Sequence, residues 1–147
     1  LTNRRTLFVR DTPVIGDWLM LLFFPRQHRR AVEADRGVPS SVPDIVDRQL
    51  EELGKRGFVG AVLSSFRHML KSPLEPEHRA IYEAKLPVNV IWGEVDDVIP
   101  LAAMGTLTQW NRTAQHHVIA SAGHGLTYTH TPRILEAVRA ALQNPDT

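Results

Sequence analysis

The sequence predicts an α/β chain: a helical region over residues 1 to about 85, then two parallel strands alternating with helices over residues 86 to 147. Three observations carry this. Up to about residue 85, apolar residues recur every three or four positions, as on a helix face; beyond it they gather into two short runs, Leu86 to Trp92 and His116 to Ala120. The second part then reads strand, helix, strand, helix, an order that implies a parallel pair. The first of those strands is almost continuously apolar, which fits a sheet covered on both faces.

The elements follow in order. Ile15 to Phe24 is apolar and helix-compatible, with Pro25 as its expected end. Gln27 to Arg36 is a polar helical stretch with Gly37 as a stop, and Gly37 to Pro43 is a loop. A helix starts near Pro43 and Asp44, with Ile45, Val46, Gln49, Leu50 and Leu53 on one stripe. Gly54 and Gly57 interrupt it. Phe58, Val59, Val62, Leu63, Phe66, Met69 and Leu70 form a second amphipathic stripe. Lys71 to Pro76 breaks the chain, and Pro76 at a first helical position starts a short helix to Ala84. Pro87 is tolerated at the start of the strand Leu86 to Trp92. Pro100 to Gln109 is a helix, His116 to Ala120 a second strand, and Ala122 to Gly125 a tight glycine-flanked turn. Thr131 caps a last helix, with Pro132 at its first position, running to about Leu142. Two buried strands alone leave both outer edges with unpaired backbone groups, so the sequence reads as the end of a larger sheet.

Composition narrows the chemistry. The length of 147 residues suits one domain, and a formal net charge of +1 gives no electrostatic case for nucleic acid or an anionic membrane. There is no cysteine, which removes disulfides, thiolate metal sites and cysteine nucleophiles, and suits a reducing, cytoplasmic location. The longest apolar run, Trp18 to Phe24, is far short of the roughly 20 residues needed to span a bilayer, and no small-residue cleavage site follows it. The chain opens on Leu1 rather than methionine, which suggests a longer polypeptide or removed upstream sequence.

Two loops hold candidate catalytic residues. In "GEVDD", Asp96 lies three residues past Gly93, beyond the carboxyl end of the first strand. Catalytic groups of open α/β sheets gather there. In "SAGHGL", His124 follows the second strand between Gly123 and Gly125, which let the backbone turn sharply. Taken alone, a solvated turn or helix cap explains Asp96 more simply, and an ordinary loop explains His124. Together they place a carboxylate and an imidazole at the same end of adjacent parallel strands, the second half of a nucleophile–histidine–acid triad. Asp97 reads as a solvated turn residue. His116 and His117 are adjacent in a strand and point to opposite faces. His28, His68, His78 and His130 lack partners at metal spacing, so neither a metal nor a cofactor is expected.

The stretches "LPVNVIWGEVDDVIPL" and "HHVIASAGHGLTYTHTPRILEAV" resemble the C-terminal portion of the α/β-hydrolase superfamily. In that family an apolar strand leads to Gly-Glu-x-Asp, with a proline four residues after the aspartate, and a later Ala-Gly-His or Gly-x-Gly-His turn carries the base. The match covers about 60 residues. The resemblance implies that Asp96 is the triad acid and His124 the triad histidine, and that the helical first region is a cap. Asp11 to Phe24 looks like the start of such a cap and Gly57 to Met69 like its later helix. Trp18 and Leu22 would then line the substrate mouth. The family's nucleophile elbow, Gly-x-Ser-x-Gly, is missing: none of Ser40, Ser41, Ser64, Ser65, Ser72 and Ser121 has glycines at both flanking second positions. The elbow and the oxyanion-hole donors precede the cap in that family.

The expectation is therefore a partial α/β-hydrolase fold, serine-type by family frequency, acting on carboxylic esters or related small molecules. Its nucleophile-bearing N-terminal half lies elsewhere, and the chain alone is inactive. The partner would be that N-terminal half, or a second copy completing the sheet. The alternative is a non-catalytic remnant whose helical region and sheet edges serve binding or oligomerisation.

Overall fold

Pro25 does not end the first helix. A computed structural model, which describes residues 7, 8 and 11–143, runs α1 unbroken over Ile15–Ala34 with Pro25 inside it. The chain divides into two compact units, Leu1–Pro73 and Leu74–Thr147.

In the first unit, α1 packs against α2 (Ile45–Gly54) and α3 (Phe58–Arg67), and a 3-10 turn at Met69–Lys71 follows. An interior proline costs about 3 kcal/mol in lost hydrogen bonding and steric clash. Met20 and Val32 are buried on either side of Pro25, and each fully buried side chain of this size contributes about 1.5–3 kcal/mol. Their burial offsets the proline and keeps the two halves one helix. Val46, Leu53 and Leu63 complete this small core. Phe24 stacks on His28, which lies against Phe58, and Arg67 pairs with Asp17 at 2.5 Å, so α1 and α3 are joined at two levels. The expected glycine punctuation holds: α2 ends on Gly54, and Gly57, with φ 88°, precedes α3. Met69 and Leu70, expected on the apolar stripe, are exposed in the 3-10 turn.

The second unit begins with α4 (Glu75–Glu83), which the change in composition grouped with the first region. It packs against α5 (Ala103–Trp110), with His78 stacked on Trp110. Its end explains why the next strand is shorter than expected. Lys85 adopts φ 54°, and the N–H groups of Lys85 and Leu86 donate back to Tyr82 and Ile81 carbonyls. This Schellman cap uses Leu86, and Pro87 has no N–H, so β1 covers only Asn89–Gly93. It pairs in parallel with β2 (Gln115–Ile119), from Asn89 opposite Gln115 to Gly93 opposite Ile119. The described residues form no further strand in this sheet.

The expected coverage of both sheet faces is only partial. Trp92, Gly93 and Ile119 are buried, but Asn89 and Gln115 are exposed and Val118 is 45% exposed. The adjacent histidines do point apart. The Trp92 indole N–H donates to His116 Nδ1 at 3.0 Å, which puts the His116 proton on Nε2, facing Thr108 Oγ1 of α5 at 3.0 Å. His117 Nε2 meets Asn89 Oδ1 at 2.8 Å on the opposite face. A short helix not expected from sequence, α6 (Leu126–Thr129), precedes α7 (Thr131–Gln143), which packs on both strands. Thr131 is the first residue of α7, and its hydroxyl donates back to Thr127 O at 2.7 Å. The architecture is thus mixed helix with a small parallel sheet. Among the described residues no helix is long and apolar enough to cross a membrane.

Candidate active site

The two loops that leave the carboxyl ends of β1 and β2 are stitched together by backbone. Glu94 N–H donates to Ile119 O at 3.1 Å, and Val95 N–H donates to Ala122 O at 3.0 Å. Gly93 makes this approach possible. A Cβ there would lie 2.5 Å from Ala122 O and 2.9 Å from Gly123 O. Glycine is required at this position by proximity of another backbone, not by φ.

Beyond this seam the chain turns at Asp96, whose side chain is only 6% exposed. Its Oδ1 accepts the N–H groups of Val98 and Ile99, each at 2.8 Å. Its Oδ2 lies 3.1 Å from His124 Nδ1. The carboxylate therefore does both things the sequence allowed. One oxygen closes the turn and the other meets the imidazole. Burial pushes the Asp96 carboxyl up, but the Ile99 N–H, His124 and the Val98 N–H outweigh it and hold the group below the ordinary carboxylate value. An ionised carboxylate only accepts hydrogen bonds, so the shared proton sits on His124 Nδ1 and Nε2 carries the lone pair.

The His124 turn is held from the other side by α6. Gly123 O accepts the Leu126 N–H at 3.2 Å, and Gly125 O accepts the Tyr128 and Thr129 N–H groups at 3.1 Å and the Thr129 hydroxyl at 3.0 Å. The Tyr128 ring lies so close over Gly125 that a Cβ there would collide with it. Ala122, behind the turn, is fully buried. The backbone is anchored on both sides while the His124 side chain remains 55% exposed, and among the described residues its Nε2 has no hydrogen-bond partner. The arrangement offers a base with a fixed tautomer and an accessible lone pair.

The structure thus brings together Asp96 and His124, 28 residues apart in sequence. Asp97 is exposed beside them. Trp18 and Leu22 lie on α1 in the first unit, 62% and 38% exposed. Among the described residues, no three His, Cys, Asp or Glu side chains group so as to hold a metal ion. Sequence reasoning gave no role to Glu94, whose Oε2 accepts the Ser121 N–H at 2.8 Å, or to Tyr128. Glu94 had one signal, its place inside the Gly-Glu-x-Asp stretch; Tyr128 had none, because its contact depends on how α6 folds back. No family model and no curated protein matches the chain.

Proposed function

We propose that Asp96 and His124 are the acid and base of a serine-type hydrolase site acting on carboxylic esters or related small molecules. The observation that carries this is the contact between Asp96 Oδ2 and His124 Nδ1, with the other carboxylate oxygen held by two backbone N–H groups. Asp96 orients the imidazole and stabilises its cation. His124 Nε2 takes the proton of the attacking hydroxyl and gives it to the leaving group; in the second half it takes a proton from the attacking water and returns it to the nucleophile oxygen as the acyl group is released. None of the chain's six serines sits in an elbow, so in this reading the nucleophile and the oxyanion-hole donors come from outside these 147 residues. The chain alone is then silent toward esters.

The coding sequence upstream of Leu1 is expected to specify Gly-x-Ser-x-Gly, and the extended polypeptide to hydrolyse p-nitrophenyl butyrate. Asp96→Asn should then lower kcat by about ten-thousandfold, the scale of losing a triad acid. An upstream sequence without a nucleophile elbow, or full activity in the Asp96→Asn protein, overturns the assignment.

A second reading, a binding or self-association module, is favoured by the apolar row Val14, Ile15, Trp18 and Leu21, all exposed on or beside α1. Size-exclusion chromatography of the chain separates the two. A monomer whose behaviour is unchanged by Trp18→Ser and Leu21→Ser counts against association.

A further inference from the structure

Glu94 is the one side chain, apart from the Asp96–His124 pair itself, that bridges the two loops among the described residues. Its Oε2 accepts the Ser121 N–H at 2.8 Å. Ser121 has φ 58°, in the left-handed region that disfavours any residue with a Cβ. This residue turns the chain from the end of β2 into Ala122 and Gly123, and His124 follows directly. The two backbone bonds of the seam, from Glu94 N–H and Val95 N–H, could be made by most residue types. The Ser121 bond needs an acceptor at the end of a two-methylene arm.

We propose that Glu94 is a positioning residue for His124: by bonding the Ser121 amide it holds the left-handed turn that sets the imidazole against Asp96. This rests on the Asp96–His124 assignment above. Reach and acceptor capacity carry the effect, and charge is secondary because Glu94 is exposed. Glu94→Gln keeps an acceptor at the same distance. Glu94→Asp keeps the charge but falls one methylene short. Glu94→Ala removes both.

The readout is the His124 tautomer, from imidazole 15N chemical shifts at a pH where the ring is neutral, with the His124 signals identified by their loss in His124→Gln. In the unaltered chain the Nδ1–H form is expected to dominate. Glu94→Gln is expected to retain that ratio, and Glu94→Asp and Glu94→Ala to lower it roughly fivefold, the scale of one hydrogen bond's net worth. Amide exchange at Val90 to Trp92 should be unchanged, which separates repositioning from unfolding. If Glu94→Ala does not fold, the Asp and Gln variants decide by the same criterion. Retention in Glu94→Asp with loss in Glu94→Gln overturns the proposal, since charge would then be the cause. Wild-type ratios in all the Glu94 variants, with a changed ratio in Asp96→Asn, also overturn it and leave the catalytic pair standing. An unchanged ratio in Asp96→Asn instead removes the pair, and the proposal with it.

Discussion

Replacing Gly93 by alanine tests the seam on which the site is built. The new Cβ would meet Ala122 O at 2.5 Å, Gly123 O at 2.9 Å and the Ala122 carbonyl carbon at 3.1 Å. All three are backbone atoms, so no side chain can swing aside. Restoring ordinary contact needs a separation of about 0.9 Å. The Val95 N–H to Ala122 O bond, now 3.0 Å, would stretch beyond hydrogen-bonding length. Overpacking of this kind costs about 1–3 kcal/mol and the lost bond about 1 kcal/mol, so the expected destabilisation is about 2–4 kcal/mol. For a unit of this size that lowers the melting temperature by roughly 8–32 °C. Amide exchange at Trp92 and Val118 reads the second unit directly, and circular dichroism gives the melt. Gly60→Ala is the control: a Cβ there meets nothing within 4 Å, and Gly60 sits inside α3. That change should raise stability by about 0.5–1 kcal/mol. A Gly93→Ala protein that melts within about 2 °C of the unaltered chain would refute the close-approach argument.

Asp96→Asn should produce a pH-dependent stability difference. The folded-state carboxyl lies below its ordinary value of 3.8, so its stabilisation is fully present above that value and is lost as pH falls through the lower folded-state value. In urea titrations the gap between the two proteins, about 1.5–3 kcal/mol at neutral pH, should close below about pH 4; a gap constant from pH 7 to 2 counts against it. Lys85→Gly should raise stability by about 1 kcal/mol, because Lys85 occupies the left-handed position of the α4 cap at φ 54°. A lower urea midpoint in that variant would show that the cap does not hold as described.

Much of the second unit was legible in the sequence. The β1–α5–β2–α7 order follows from the change of period and from the turn residues, and both strands lie within three residues of their expected starts. Asp96 and His124 were legible because each sits at a fixed offset beyond an apolar run, where local chain geometry places it at a strand end. Less was legible where packing competes with local preference. Pro25 predicts a break that burial of Met20 and Val32 overrides. Leu86 belongs by composition to the strand, but its N–H is taken by the α4 cap. α6 is too short for periodicity to register.

By itself the sequence determined the β1–α5–β2–α7 order, the parallel pairing, and which carboxylate and imidazole stand at the same end of the sheet. Those properties follow from chain-local spacing and from the handedness of a strand–helix–strand connection. Only the tertiary structure decided how Asp96 divides its two oxygens, which His124 nitrogen keeps its lone pair, why Gly93 has no side chain, and what Glu94 holds. Each of these depends on distances of about 3 Å between groups far apart in the chain, and such distances are set when the loops pack together.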